Sequence, residues 1–297
     1  MSSNQVVMVT GASTGFGRLI SEALARKGHT VFATMRDPAV RNAKNASEIR
    51  ALAGKENLKL EVLELDVTDE SSVERAVHAC VGQAGRIDVA INNAGYVVIG
   101  LEEATTADQV KQIFDTNFLG CVRVNRAVLP HMRKQRSGLL LHVSSGAGRL
   151  VFPGFGFYCA TKFAMEAMAE TYRYELAGLG IESCILEPGA YNTPIFGSLV
   201  KAADEARAAG YGATAEIPAK LNAALTTVAG NPQDIADVVL TIVETPAGER
   251  QPRYRVGSRM GIDEINALTE KVQGQLLQGL GLAEYTKFVK SAVAGAD

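Results

Sequence analysis

The chain has 297 residues, 47% hydrophobic and 21% charged, and its 30 Lys and Arg against 32 Asp and Glu leave a net charge of −2. This profile excludes a disordered, collagen-like or coiled-coil chain and argues against a nucleic-acid binder, which shows a basic excess or run. At ~150 residues per domain the length points first to two domains, although one α/β domain can reach it and bury roughly 70% of its surface without disulfides or metals.

In chain order, Met1 to Gln5 is short and polar and leads straight into a strand, so no secretory signal is expected. Gln5 to Thr10 is an apolar run ending at Gly11. Phe16 to Lys27 has helical periodicity and stops at Gly28. Thr30 to Met35 is a second strand, Ala43 to Ala53 a helix ending at Gly54, and Leu58 to Leu65 a third strand ending at Asp66. Ser71 to Ala84 is a helix stopped by Gly85, and Val89 to Asn92 a fourth strand.

Thr106 caps a further helix, with Gln109 closing a capping box. That helix breaks near Asn117 to Gly120 and runs on to Arg136, where the densest basic stretch, His131 to Arg136, forms its exposed end. Leu139 to Val143, Glu182 to Leu186 and Arg253 to Val256 are the fifth, sixth and seventh strands. Tyr158 to Ala177 is a long helix, and Asn231-Pro232 opens another to about Glu244. Short apolar runs between helices imply parallel strands buried on both faces of a doubly wound sheet.

Thr193 to Gly230 is rich in Ala and Gly with no strand signal, and Gly257 to Asp297 is a helical tail. Apolar runs are broken by charge well before ~18 residues, so no membrane segment is expected. The four cysteines (Cys80, Cys121, Cys159, Cys184) show no CxxC pairing, and the four histidines (His29, His78, His131, His142) no metal spacing. A reduced, cytoplasmic, metal-free protein is the expectation.

The turn Thr10-Gly11-Ala12-Ser13-Thr14-Gly15-Phe16-Gly17 follows the first strand and opens the first helix. Glycines there let phosphate oxygens approach the backbone, and the free N–H groups and positive end of the helix face them. Gly11, Ser13, Thr14, Gly15, Phe16 and Gly17 are thus the expected phosphate-binding residues.

The spacing TGxxxGxG resembles the short-chain dehydrogenase/reductase family, not the GxGxxG of two-domain dehydrogenases. At the end of the second strand, where many NAD enzymes carry an acid, stands Met35 followed by Arg36. A guanidinium attracts a 2′-phosphate that a carboxylate would repel, which predicts NADP(H) in preference to NAD(H). The resemblance implies that Asp66 and Val67 lie near the adenine and that Asn93, Ala94 and Gly95 of the Asn92-Asn93-Ala94-Gly95 motif lie beside its ribose. The Asn side chain is also expected to steady the sheet.

Tyr158 and Lys162 are spaced i and i+4, one turn apart on one helix face. A free Tyr titrates near ~10, and a neighbouring ammonium is expected to lower that value. Val143-Ser144-Ser145 ends the fifth strand. The family has its catalytic Ser thirteen residues before the Tyr, and 158 − 145 = 13 selects Ser145, with Ser144 a structural neighbour. Asn117 matches the family's mid-helix Asn, whose exposed carbonyl holds a water leading protons to the Lys. Pro188, Gly189 and Thr193 match the family's PGxxxT, which meets the nicotinamide amide.

The motifs span Thr10 to Thr193 and imply a Rossmann-type α/β fold of about seven parallel strands. Residues 1–256 form the catalytic domain with a mobile lid at about 194–220, and residues 257–297 are a helical extension. The Ala-Thr-Met-Arg-Asp strand end and Arg253-Tyr254-Arg255-Val256-Gly257 resemble hydroxysteroid- and retinol-dehydrogenase-like members. The implied activity is carbonyl/alcohol interconversion by hydride transfer, with Asn117, Ser145, Tyr158 and Lys162 as catalytic residues. An apolar neighbourhood (Val97, Val98, Ile99, Phe152, Phe155, Phe157, Phe196, with Tyr191 and Ile195 to Lys220) predicts a fairly hydrophobic small-molecule substrate. Family members commonly form homodimers or homotetramers through the two long helices. A nucleotide-binding sensor on the same scaffold, or an epimerase or dehydratase, remain alternatives because fold does not fix function.

Overall fold

The computed structural model describes residues 4–191, 199–227, 230–257 and 261–290. Its first half alternates β1 (Val6–Val9), α1 (Gly15–Arg26), β2 (Thr30–Met35), α2 (Ala43–Glu56), β3 (Leu60–Glu64), α3 (Glu70–Ala84) and β4 (Val89–Asn92). A short β5 (Val98–Ile99), α4 (Ala107–Phe114), a π-helical turn (Asp115–Leu119) and α5 (Gly120–Gln135) follow. The second half brings β6 (Gly138–Val143), α6 (Gly156–Ala177), β7 (Ile181–Pro188), β8 (Val200–Lys201), α7 (Glu205–Ala209), α8 (Ile217–Thr227), α9 (Gln233–Glu244), β9 (Arg253–Val256) and α10 (Ile262–Gly279).

Seven strands form one sheet in the order β3-β2-β1-β4-β6-β7-β9, and every pairing is parallel. The chain winds outward from β1 in one direction and, after β4, in the other. The strand order therefore reverses between β1 and β4, and that reversal opens a crevice at their carboxyl ends. The pleat sends Val7 and Val9 to one face, against Ile20 and Leu24 of α1, Ile49 of α2 and Val239 of α9. Val6 and Met8 point to the other, against Val77 of α3, Val124 and Val128 of α5 and Leu176 of α6. Both faces are covered, which is why the strands read as unbroken apolar runs. The result is one Rossmann-like α/β domain of seven parallel strands.

Local signals behave largely as their chemistry dictates. Thr106 Oγ1 accepts from the Gln109 N–H while the Gln109 side chain accepts from the Thr106 N–H. Asn231 Oδ1 accepts from the Gln233 N–H at the start of α9. Two expectations are corrected. The helix expected to stop at Gly54 continues to Glu56: Gly54 sits in open space, and Asn57 supplies the left-handed cap at φ 53°. The Thr193 to Gly230 region does contain a strand, β8, pairing Val98 with Val200 and Ile99 with Lys201. Two residues are too few to show a periodicity.

Candidate active site

The glycine turn is locked into the crevice by side chains around it. Thr10 Oγ1 donates to Ile91 O at 3.2 Å and accepts the N–H groups of Asn93 and Ala94, each at 3.0 Å. Asn93 Nδ2 donates back to Thr10 O at 2.8 Å and Gly11 O at 3.2 Å. The turn is packed to contact: a Cβ on Gly17 would lie 2.4 Å from Gly11 O, and one on Gly11, at φ 67°, 2.8 Å from Ala94 Cα. Thr14 is the N-cap of α1, but its side chain makes no capping bond to the first-turn N–H groups. Open N–H donors at a helix start, approached closely by glycine backbone, suit the phosphates of a dinucleotide.

Other residues expected to bind the nucleotide line the same edge. Arg36 is exposed just past β2, with no ion pair on its guanidinium among the described residues. Asp66 follows β3, its Oδ1 accepting from Thr68 N at 2.9 Å and Thr68 Oγ1 at 2.8 Å. Val67 is buried, and a Cβ on Gly120 would lie 2.8 Å from it. Gly95 lies against Asn117 Oδ1. Pro188 ends β7, and the Gly189 N–H donates to Val256 O at 2.8 Å. Thr193, Ile195 and Phe196 lie outside the described residues.

The four expected catalytic residues come from three elements. Asn117 lies in a π turn and is fully buried, so its carbonyl, expected to be exposed, is enclosed here. Its Oδ1 accepts from Tyr96 N at 3.0 Å, and its Nδ2 donates to Tyr96 O at 2.9 Å and Thr161 Oγ1 at 3.2 Å. Its carbonyl accepts from Cys121 Sγ at 3.3 Å. Thr161 Oγ1 also donates to Tyr158 O at 2.7 Å, so one threonine bridges the π turn and α6. Ser145 follows β6, its Oγ accepting from Ala147 N at 3.1 Å, and it shares a cavity wall with Tyr158. Lys162 Nζ donates to Val143 O at 2.8 Å and lies 5.8 Å from the centre of the Tyr158 ring.

The electrostatics differ from expectation. Burial pushes the Tyr158 hydroxyl up to about 12, opposed by the neighbouring Ser145 hydroxyl, and pushes Lys162 down to about 8. Lys162 Nζ is bonded to the Val143 carbonyl and not to the phenol, and burial sets the direction of the Tyr158 shift. A phenol held this high keeps its proton at neutral pH.

Ser145 and Tyr158 face a cavity whose other walls include Phe16, Val97, Phe152, Phe155, Pro188, Gly189 and Tyr191. Tyr191 is buried and packs edge-on to Phe16, with ring centres 5.6 Å apart. Val97 lines the cavity, but Val98 and Ile99 are tied into the β5–β8 pair, and Phe157 is not in its wall. Gly146, Ala147 and Leu225 also line the cavity without a signal in the sequence: Gly146 and Ala147 belong to the turn after Ser145, and Leu225 lies on α8, beyond the expected lid. Ser144 was expected to be a neighbour only. It donates to the buried Glu166 at 2.6 Å, four residues beyond Lys162 on the same helix face. A carboxylate at i+8 from Tyr158 was the available signal.

Among the described residues, no group of three or more His, Cys, Asp or Glu could hold a metal, and no helix is long and apolar enough to cross a membrane. All four cysteines are free and buried.

Residues 5–204 match the family model for short chain dehydrogenases. A 3-ketodihydrosphingosine reductase of Bacteroides thetaiotaomicron is 38% identical over 189 residues, 64% of this chain and 65% of that protein. Bovine (Bos taurus) retinol dehydrogenase 8 is 32% identical over 261 residues, 84% of this chain and 80% of that protein. Among solved structures, a short-chain dehydrogenase from Streptomyces avermitilis is similar with a TM-score of 0.75 and 30% identity, covering 97% of this chain and 100% of that one.

Proposed function

Because the chain belongs to the short-chain dehydrogenase family, we propose that it interconverts a carbonyl and an alcohol on a hydrophobic small molecule, with NADP(H) as the preferred cofactor. The observation that carries this reading is that Ser145 and Tyr158 share the wall of one apolar cavity with Phe16 of the glycine turn.

When bound, the nicotinamide supplies or accepts the hydride. Tyr158 gives its proton to the carbonyl oxygen during reduction and takes it back in the reverse direction. Ser145 holds the substrate oxygen and stabilises charge developing there. Lys162 supplies positive charge behind the phenol and binds the nicotinamide ribose, and Asn117 sets the π turn against α6. Gly11, Ser13, Thr14, Gly15, Phe16 and Gly17 hold the phosphates. Asp66, Val67, Asn93, Ala94 and Gly95 flank the adenosine, and Pro188, Gly189 and Thr193 flank the nicotinamide.

Arg36 supports NADP(H) over NAD(H): it is exposed where the ribose 2′-position belongs, and a guanidinium forks onto a phosphate. The cavity walls support an apolar substrate, as do two relatives named for 3-ketodihydrosphingosine and retinol, both largely hydrocarbon. Pairing of two copies through α5 and α6 is the assembly this reading favours. Incubation with NADPH and a panel of long-chain and cyclic ketones and aldehydes tests the proposal. Loss of nicotinamide absorbance with alcohol formation supports it. Tight NADPH binding without consumption across the panel would favour a sensor instead.

A further inference from the structure

Behind the serine pair lies a buried charged cluster that the proposed chemistry does not use. Ser144 Oγ donates to Glu166 Oε1 at 2.6 Å, and Glu166 is 2% exposed. The other Glu166 oxygen accepts from Arg253 Nη1 at 2.5 Å. Arg253 also bonds Glu187, which is fully buried, and Glu170 at 2.6 Å. Arg149, four residues beyond Ser145, lies 4.0 Å from Glu166. Three carboxylates and two guanidiniums are thus gathered behind one turn of chain. Removing charges from water is costly, and a buried cluster is weak evidence of stabilisation. What it supplies is defined position.

Two observations tie this cluster to the catalytic turn. First, Gly148 closes the 3₁₀ turn after Ser145, and a Cβ there would lie 2.1 Å from Glu166 Oε1 and 2.7 Å from Ser144 Oγ. The turn therefore rests on the Ser144–Glu166 pair. Second, α10 closes the cluster from outside with a polar face. Asn266 Nδ2 donates to Glu187 at 2.7 Å, Gln273 Nε2 donates to Glu170 at 2.9 Å, and Thr269 Oγ1 accepts from Arg149 at 2.6 Å. Positions 266, 269 and 273 share one helix face, while Leu268, Val272 and Leu276 on the other are exposed. Ile262 is buried at the start of this helix, and from 266 to 273 its inward contacts are polar and go to the cluster.

We propose that Glu166, clamped by Arg253 and sealed by the C-terminal helix, is a positioning residue that sets the 144–148 turn and thereby aims Ser145. The inference rests on the reading of Ser145 and Tyr158 as the reacting pair. A clamp of this kind acts on turnover and not on nucleotide affinity, because its contact is with the serine turn and not with the glycine turn.

The test uses the full chain in four forms: unaltered, Glu166→Gln, Ser144→Ala and the double variant. Ser144→Ala deletes one hydroxyl and leaves the Glu166–Arg253 pair intact, so it reports even where Glu166→Gln fails to fold. Hydrogen exchange of residues 144–150 reads the clamp without turnover. The rate constant kcat, normalised to nucleotide-binding sites, removes any loss of folded protein. Each single variant should speed exchange in that segment and lower normalised kcat by about tenfold to a hundredfold, with KM for nucleotide within about twofold. The double variant should lose no more than the larger single, because both act through one contact. Unchanged exchange, an unchanged kcat, or losses that multiply in the double variant would each overturn the proposal. If the unaltered chain consumes no nicotinamide, the proposed activity fails, and the exchange comparison alone then upholds or overturns the clamp.

Discussion

Lys162 Nζ donates to the backbone oxygen of Val143 at 2.8 Å, two residues before Ser145. One side chain of α6 is thereby bound to the strand end that presents the serine, while Tyr158, one turn earlier, lines the same cavity as Ser145. That bond ties the helix to the strand end behind the proposed reacting oxygen.

This geometry separates binding from chemistry. Tyr158→Phe should leave NADPH affinity within about twofold yet cut turnover by about a hundredfold or more, because only the transferable proton is gone. Lys162→Met should weaken both. Fluorescence titration of NADPH beside steady-state rates checks each variant.

Arg36 provides a test of cofactor choice that leaves the reacting groups untouched. Arg36→Glu should weaken NADPH binding by about tenfold to a hundredfold, the worth of a charge-assisted hydrogen bond, and leave NADH binding equal or tighter. Competitive titrations of the two cofactors on both proteins measure the shift.

The packing of the glycine turn predicts a steric effect. Gly17→Ala would place a methyl 2.4 Å from Gly11 O and 2.5 Å from Asn93 Nδ2, so backbone must move. The expected cost is about 1–3 kcal/mol of stability together with a marked loss of nucleotide affinity. Chemical denaturation and nucleotide titration read the two effects separately.

The pH dependence of stability has a buried source. His142 is fully buried beside Asn125, 3.1 Å from its side chain, and burial lowers it to about 4. The unfolded chain protonates this histidine near its usual ~6.5, whereas the folded chain resists doing so. Its contribution is whole above about 6.5 and is lost progressively as the pH falls toward 4, by up to about 3 kcal/mol. Denaturation midpoints across that range should fall less steeply for His142→Gln than for the unaltered chain.

Much of this architecture was legible because its signals are local. The alternation of apolar runs and helices, the glycine turn, the Thr106–Gln109 box and the spacing of Ser145 to Tyr158 all lie within short stretches. The illegible parts depend on distance or burial. Arg253 and Glu166 are 87 residues apart, and each alone looks like an ordinary solvated charge. The two-residue strand at Val200 exists because Val98 lies beside it. The direction of the Tyr158 shift is set by the desolvation of the phenol in the folded chain, which an i, i+4 spacing does not encode.

The central claim is that this site moves a hydride onto a carbonyl carbon while Tyr158 supplies the proton. It is tested most directly with NADPH deuterated at the transferable position of the nicotinamide, a ketone accepted from the panel, and mass analysis of the product. The unaltered protein should form an alcohol carrying one deuterium on the former carbonyl carbon, and Tyr158→Phe should not. An alcohol without the label, or equal labelled product from Tyr158→Phe, would contradict it.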